Sequence, residues 1–411
     1  MLPQQSPPRS RYPRRFRETE SVNRRLGRPL RLLLRQGEPD PALLDTIGHR
    51  LTERDEAGAA LVRAMRITDA THPDRVTMRQ FQQALADGVD ALGDPPAPLR
   101  DFFALVDHVP DWVDFDLVNE GGRVVRRFGR NSADVLLQLA LIGSYRFGGA
   151  ADLLVETGGL AGAAALRRLA ETQHWTVTVA GDDALRRGGE GFRLTVQVRL
   201  MHALINHEFE TNGRWDAERW GLPVNRSDLA STLGLFSAVQ LLGVRMLGVR
   251  VTRAESRAVM HLWKYIGWLI GVDEDWLNDS ERDQHRLNYH LLLTQSYGSL
   301  ASPTLANAAV EAQRALHFRR LAGLRRAYAR ARLLSMLGYF LGRQGMRDLG
   351  LPPALPWAVP PLVAANLLRY GTLGRTAVGR RVLLRSGDRF IRRHLRHYFG
   401  EHAAEIGPSG R

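Results

Sequence analysis

The chain has 411 residues, of which 44% are hydrophobic and 24% charged, a composition typical of a globular protein that can bury a large core in two or three domains. Its formal net charge is +14, but Lys264 is the only lysine and the arginines are scattered from end to end, which argues against a nucleic-acid partner. The absence of cysteine excludes disulfides, iron–sulfur clusters, c-type haem attachment and thiolate-ligated haem.

Targeting signals are weak. Arg14 and Arg15 form a twin-arginine pair, but no apolar signal core follows them. We find no apolar run of the roughly 18 residues that a transmembrane helix needs. We therefore expect a cytoplasmic protein, with peripheral contact at the inner face of the membrane left open.

The N-terminal quarter of the chain divides into two predicted parts. Residues 1–28 are rich in Pro, Arg, Ser and Gln, a composition typical of a flexible basic arm. Residues 29–98 form the N-terminal helices, in which Pro41 to Leu51 and Met78 to Leu92 have amphipathic spacing. A proline-rich break over residues 94–98 ends this part.

Residues 99–295 are predicted as the central domain. Ser132 is a candidate cap for a helix that continues to Ile142, and Thr252 with Glu255 forms a capping box for another. Only residues 175–180, where Trp and Val alternate with Thr, are typical of a strand. Residues 296–411 are predicted as helices that pack on the core, with breaks at Gly350 to Pro353 and at Pro360-Pro361.

The segment Phe192 to Phe209 carries the strongest chemical signal. Val198, Met201 and Ile205 recur at helical spacing, and His202 lies beside them. A histidine in an apolar groove stays neutral and can offer a ring nitrogen to a metal. The alternative is a core histidine that is hydrogen-bonded to a backbone carbonyl.

Two further groups stand out on spacing. Arg168 and Thr172 are four residues apart, so that they share one helix face and can bind an anionic group, or can simply face solvent. Asn225 and Ser227 precede an apolar helical segment, and a capping role is sufficient to explain them.

Taken together, these motifs resemble the latex-clearing protein and MpaB-type oxygenase family. The resemblance covers residues 100–295, about half of the chain, and rests on the order and spacing of several short segments: Leu166 to Thr172, Val198 to Ala203, Trp215-Asp216, Trp220 to Asn225, Asp228 to Thr232, Phe236-Ser237, His261 to Trp263 and Gly271 to Asp275.

The resemblance implies an all-α fold with a globin-like core that binds non-covalent haem b, together with additional N- and C-terminal helices. His202 matches the family's proximal iron ligand, and Met201 is expected to contact the cofactor. Arg168 and Thr172 match a pair that lies against the haem pocket. The implied reaction uses O₂ to cleave C=C bonds of a hydrophobic, isoprenoid or lipid substrate. No protein partner is implied.

One residue departs from the family pattern. Rubber-cleaving relatives have a lysine immediately before the threonine, and this chain has Glu171. This carboxylate is a candidate catalytic base, or it points to solvent. Together with the lack of an export signal, the departure favours a small intracellular substrate over rubber.

Two other functions are compatible with the sequence. Glu171 and His174 form an ExxH motif of the kind found in di-iron bundles, although no second ExxH is present. Phe390, Leu395 and Tyr398 lie on an amphipathic segment with flanking arginines, which suits either a membrane surface or a helix docked on the core.

Overall fold

The computed structural model describes residues 11–158 and 163–399, and within them every regular element is helical. This confirms the all-α prediction. An isolated bridge between Phe147 and Tyr297 is the single β-type pairing in that part of the chain. The first half comprises the helices α1 (Glu20–Leu26), α2 (Arg28–Leu34), α3 (Pro41–Arg50), α4 (Glu56–Met65), α5 (Met78–Asp87), α6 (Ala97–Asp107), α7 (Phe115–Phe128), α8 (Arg130–Val135), α9 (Ala150–Glu156) and α10 (Ala163–Val179).

The second half continues with further α-helices and several tighter or wider turns. The helices are α11 (Glu190–Thr211), α12 (Ala217–Trp220), α13 (Arg226–Phe236), α14 (Ala238–Met246), α15 (Arg253–Ile270), α16 (Glu281–Thr294), α17 (Ala301–Glu311), α18 (Ala322–Asp348), α19 (Val359–Thr372) and α20 (Ala377–Phe399). The 3₁₀ segments are Val89–Leu92, Glu274–Trp276, Ala312–Ala315 and Leu373–Arg375, and Leu136–Ile142 is a π-helix.

The largest hydrophobic core is centred on α7 and α15. These helices approach closely because α7 carries Gly121 at their interface, where a Cβ atom would lie 2.3 Å from the carbonyl oxygen of Ala258. Helices α4, α6, α11, α13 and α14 contribute many of the other apolar side chains of this core.

The second core is formed by the π-helix and by α9, α10, α17 and α18. Helix α10 joins the two cores: Leu166 and Leu169 in its first half belong to the second core, whereas Trp175 and Val179 near its end belong to the first. Arg168 and Thr172 therefore lie at the junction between the two cores.

The predicted strand over residues 175–180 is wrong, because residues up to Val179 continue α10. The hydroxyl groups of Thr176 and Thr178 donate to the carbonyl oxygens of Thr172 and His174, one helical turn back. This bonding lets threonine side chains sit in a helix, and burial of Trp175 against both neighbouring helices outweighs the β preference of the local sequence.

The predicted flexible arm is contradicted from residue 11 onward; residues 1–10 lie outside the described residues. The Arg15 side chain is 1% exposed, and its Nη2 donates to Asp228 at 2.6 Å. The backbone N–H groups of Arg14 and Arg15 bind the carbonyl oxygens of Glu218 and Arg219. A buried ion pair, which composition cannot reveal, fixes this segment on the core.

Several helix boundaries agree with the sequence and two do not. The Thr252–Glu255 capping box begins α15, and Asn225 caps α13. Ser132, predicted as a cap, instead lies inside α8 and accepts a hydrogen bond from Gln240 at 2.6 Å. The prolines at 360 and 361 do not break a helix but stand in the first turn of α19, where the missing N–H groups cost nothing.

One segment, Arg226–Met246, has the length and composition to cross a membrane, contrary to the sequence analysis, and 56% of its most apolar 18-residue window is buried in the molecule. It comprises α13 and α14, which are separated by the non-helical backbone of Ser237.

The apolar face of α20 packs within the molecule. Tyr398 is 4% exposed, Phe399 contacts the ring of His174 on α10, and Arg130 lies over the ring of Phe390. Its arginines at 389, 392, 393 and 396 are exposed. The structure therefore matches the docked-helix alternative for this segment.

Candidate functional site: a buried histidine on helix α11

His202 lies in the second half of α11, on the stripe that also carries Thr195, Arg199 and Asn206. At Thr195 this stripe contacts α10, because the Thr195 hydroxyl oxygen accepts a hydrogen bond from Nε1 of Trp175 at 3.1 Å. The Nδ1 atom of His202 is shielded from solvent, but its neighbours on the stripe are polar, whereas the sequence predicted an apolar groove.

The imidazole of His202 is neutral at physiological pH. Burial lowers its pKa to about 4, although the nearby Asp55 carboxylate acts in the opposite direction. Its Nδ1 atom is shielded from solvent and has no hydrogen-bond partner among the described residues. The alternative of a core histidine bonded to a backbone carbonyl is thus not what the structure shows at this nitrogen.

The polar neighbours of His202 are all satisfied by other groups. Arg199 donates from Nε and Nη2 to the two carboxylate oxygens of Asp55, at 2.7 and 2.8 Å. The Asn206 side chain exchanges two hydrogen bonds with the backbone of Val224, at 2.7 and 2.9 Å. Because these groups are already paired, the free imidazole nitrogen is left available for another ligand.

Asp55 was missed by the sequence analysis. It directly precedes α4 and lies 144 positions away from Arg199, so no local spacing connects the two. The space that they enclose with His202 and Ile270 has a volume of about 10 Å³. That is room for a single water molecule at most.

Arg168 and Thr172 lie on α10, the neighbour of α11 that Trp175 contacts. The hydrogen bond between Trp175 and Thr195 marks the contact between α10 and α11. Arg168 lies seven residues before Trp175 on α10, and His202 lies seven residues after Thr195 on α11. Each is therefore about 10 Å from that contact along its own helix axis. The Arg168 guanidinium donates to Oγ1 of Thr157 at 3.2 Å.

Two predicted site residues lie in more open positions. The Met201 side chain is 41% exposed, so it does not line a closed pocket. Glu171 accepts a hydrogen bond from Nε of Arg167 at 2.9 Å. This ion pair lies on α10 next to the helix face that carries Arg168 and Thr172. The proposed roles of these residues remain predictions.

The di-iron alternative lacks the ligands that it requires. Glu171 is paired with Arg167, and Nδ1 of His174 is buried without a hydrogen-bond partner. Within residues 11–158 and 163–399, no group of three or more His, Asp or Glu side chains is arranged to hold a metal ion.

The fold and the site together define a helical protein with a neutral, unpartnered imidazole, that of His202, on a helix of the largest core. Residues 135–375 match the family model described as ER-bound oxygenase mpaB/B'/Rubber oxygenase, catalytic domain. This match covers more than half of the chain, and the chain belongs to this family of oxygenases, as the sequence motifs predicted.

Two known proteins are similar to this chain. The rubber oxygenase of Streptomyces sp. (strain K30) is 23% identical over 203 residues, which are 47% of this chain and 46% of the relative. The match thus spans less than half the length of that relative. The structure of latex clearing protein LCP in the closed state aligns with a TM-score of 0.60 at 17% identity, over 83% of this chain and 91% of the other. This alignment supports the shared fold.

Proposed function

We propose that this protein is a haem b-dependent oxygenase that uses O₂ on a hydrophobic, isoprenoid or lipid, substrate, with His202 as the iron ligand. The observation that carries the proposal is the shielded, neutral and unpartnered Nδ1 of this histidine. Such an imidazole fits haem iron, which is commonly held in proteins by one histidine. Membership in an oxygenase family supports the same reading.

The residues around His202 would hold it in place. The Arg199–Asp55 pair fixes α11 one turn before the histidine, and the Asn206–Val224 hydrogen bonds fix it one turn after. An imidazole held from both sides loses little conformational freedom when it binds a ligand. Bound haem would supply the site for O₂ activation.

The apolar side of α11 is the surface that a porphyrin or a hydrocarbon can contact. The polar side is closed, because the cavity there measures only about 10 Å³. Val198 and Ile205 are half-buried and Met201 is 41% exposed, so this stripe retains apolar area that the core does not cover. Burial of such surface favours a hydrophobic ligand.

Arg168 and Thr172 have a supporting role in this proposal. The Arg168 guanidinium is half-buried on α10 and donates to the neutral hydroxyl of Thr157, so its charge is not neutralised by that contact. A positive charge in this position would attract an anionic group of a bound ligand. Thr172, one turn further along, offers a hydroxyl on the same helix face.

The proposal is tested by the absorption spectrum of protein purified from cells that are supplied with a haem precursor. We expect an intense Soret band in the wild type and its loss in His202→Ala. His317→Ala, which removes an exposed histidine far along the chain, serves as the control and should retain the band. Colourless wild-type protein after haem reconstitution, or equal haem uptake by His202→Ala, contradicts the proposal.

A second measurement addresses catalysis. Wild-type protein that has a Soret band should consume O₂ in the presence of an unsaturated isoprenoid and give carbonyl products. Arg168→Ala should bind less haem or turn over more slowly, whereas Arg282→Ala, an exposed arginine on α16, should match the wild type. Haem-loaded protein that shows no O₂ uptake with any isoprenoid or unsaturated lipid would leave binding intact and refute the oxygenase role.

A further inference from the structure

A second cavity, of about 430 Å³, lies between the C-terminal end of α7, the N-terminal end of α15 and the turn that joins α19 to α20. This volume is within the range of about 300–1,000 Å³ that is typical of small-molecule sites. Four arginines line it, with a single acidic residue, and the lining set is Arg127, Phe128, Arg250, Thr252, Glu255, Tyr370, Gly374, Arg375, Arg380 and Leu383.

The single carboxylate in this cavity cannot neutralise the arginines. Both oxygens of Glu255 are occupied: one accepts from Nη2 of Arg127 at 2.9 Å, and the other accepts from the backbone N–H and the hydroxyl of Thr252 at 2.8 and 2.9 Å. Glu255 thus balances Arg127, which is itself 9% exposed and also pairs with Glu120.

The other three guanidinium groups remain uncompensated. Arg250 and Arg375 are exposed and make no ion pair with any acidic residue in the described chain, and Arg380 reaches only the carbonyl oxygen of Gly374, at 3.5 Å. Helix α15 adds to this charge, because its 18 residues direct the positive end of the helix dipole at the cavity through Thr252.

We propose that this cavity binds a phosphate-bearing ligand, whose anionic group is held by Arg250, Arg375 and Arg380. Arginine suits this chemistry because its planar guanidinium donates two parallel hydrogen bonds to phosphate oxygens. The buried side chains of Phe128 and Leu383 provide an apolar wall for the organic part of the ligand.

This site is separate from the His202 site. Helix α15 begins at the cavity with Thr252 and ends at Gly271, which lies against the Arg199 guanidinium next to His202. At 1.5 Å per residue, the 18 residues of α15 separate the two places by about 27 Å. The proposal therefore does not depend on haem binding or on oxygenase activity.

The test compares two double variants of equal charge. Arg250→Ala/Arg375→Ala removes two exposed arginines of the cavity, and Arg79→Ala/Arg282→Ala removes two exposed arginines elsewhere. Binding of inorganic phosphate and of diphosphate is measured by calorimetry at low salt. In a second arm, each protein is sedimented with vesicles of phosphatidylcholine alone or mixed with phosphatidylglycerol.

We expect the cavity variant to lose affinity by about tenfold or more, the effect of removing charged hydrogen-bond donors, while the control variant stays within twofold of the wild type. Loss in the calorimetric arm identifies a free phosphate compound as the ligand. Loss in the vesicle arm alone identifies a lipid headgroup. If the wild type binds in neither arm, or both variants lose affinity equally, the proposal is overturned.

Discussion

Replacing Asp55 by Asn tests whether the His202 site is closed in solution. In the folded protein, the Asp55 carboxylate accepts hydrogen bonds from Nε and Nη2 of Arg199, whose side chain is only 6% exposed, while the carboxylate is 18% exposed. The substitution preserves the shape of the side chain but leaves a buried guanidinium without its counter-charge. Such a loss costs about 3–5 kcal/mol in the free energy of unfolding.

The matched control is Asp275→Asn. Asp275 also accepts two hydrogen bonds from one arginine, Arg50, at 2.8 and 3.0 Å, but it is 57% exposed, and Arg50 retains Asp273 as a second partner. An exposed pair contributes about 0–1 kcal/mol. Urea unfolding followed by circular dichroism measures both variants. If Asp55→Asn is destabilised by no more than Asp275→Asn, then Arg199 is hydrated in solution and the burial of the Arg199–Asp55 pair beside His202 is refuted.

Three further predictions concern the fold. Gly121→Ala should destabilise the protein by about 1–3 kcal/mol in urea unfolding, because the added Cβ would lie 2.3 Å from the carbonyl oxygen of Ala258 and force α7 away from α15. Unchanged stability would show that these two helices separate easily. Thr77→Ala removes a complete capping box with Gln80 and should cost about 1 kcal/mol, visible as a lower urea midpoint; a neutral result would mean that the first turn of α5 is frayed. Burial lowers the pKa of both His202 and His394 to about 4, below the ordinary value of 6.5. Between these two pH values the unfolded chain binds protons more readily than the folded protein does. The free energy of unfolding should therefore fall as the pH drops from 6.5 to 4, by up to about 3 kcal/mol per histidine. His394→Phe should flatten this pH dependence, and an unchanged slope would contradict the burial of that ring.

Local signals in the sequence were sufficient where the structure depends on local bonds. The Thr252–Glu255 motif predicts the start of α15 because both of its hydrogen bonds close within three residues. The prediction fails at residues 175–180, where alternating Trp, Val and Thr are typical of a strand. There the outcome is decided by contacts of Trp175 with residues of α11, α13 and α15, which no short window of sequence contains.

In the candidate site, too, the sequence predicts what depends on local spacing and misses what depends on distant contacts. His202 could be located from helical spacing and from the family resemblance, and the structure places it in the interior. Its polar surroundings could not be foreseen, since Asp55 and Val224 belong to distant segments that meet only when the chain has folded. The arginine-lined cavity was invisible for the same reason: its charges come from three separate stretches of a chain in which arginine is common throughout.

The burial of Arg15 has a consequence for biosynthesis. Its partner Asp228 is 213 positions further along the chain. At about 5–20 residues per second, the ribosome adds that length in about 10–40 s, during which the arginine has left the exit tunnel but its counter-charge has not been made. Arg15 therefore lacks its native partner until Asp228 has been made, and proteolysis of nascent chains near residue 15 should decline only after α13 has emerged.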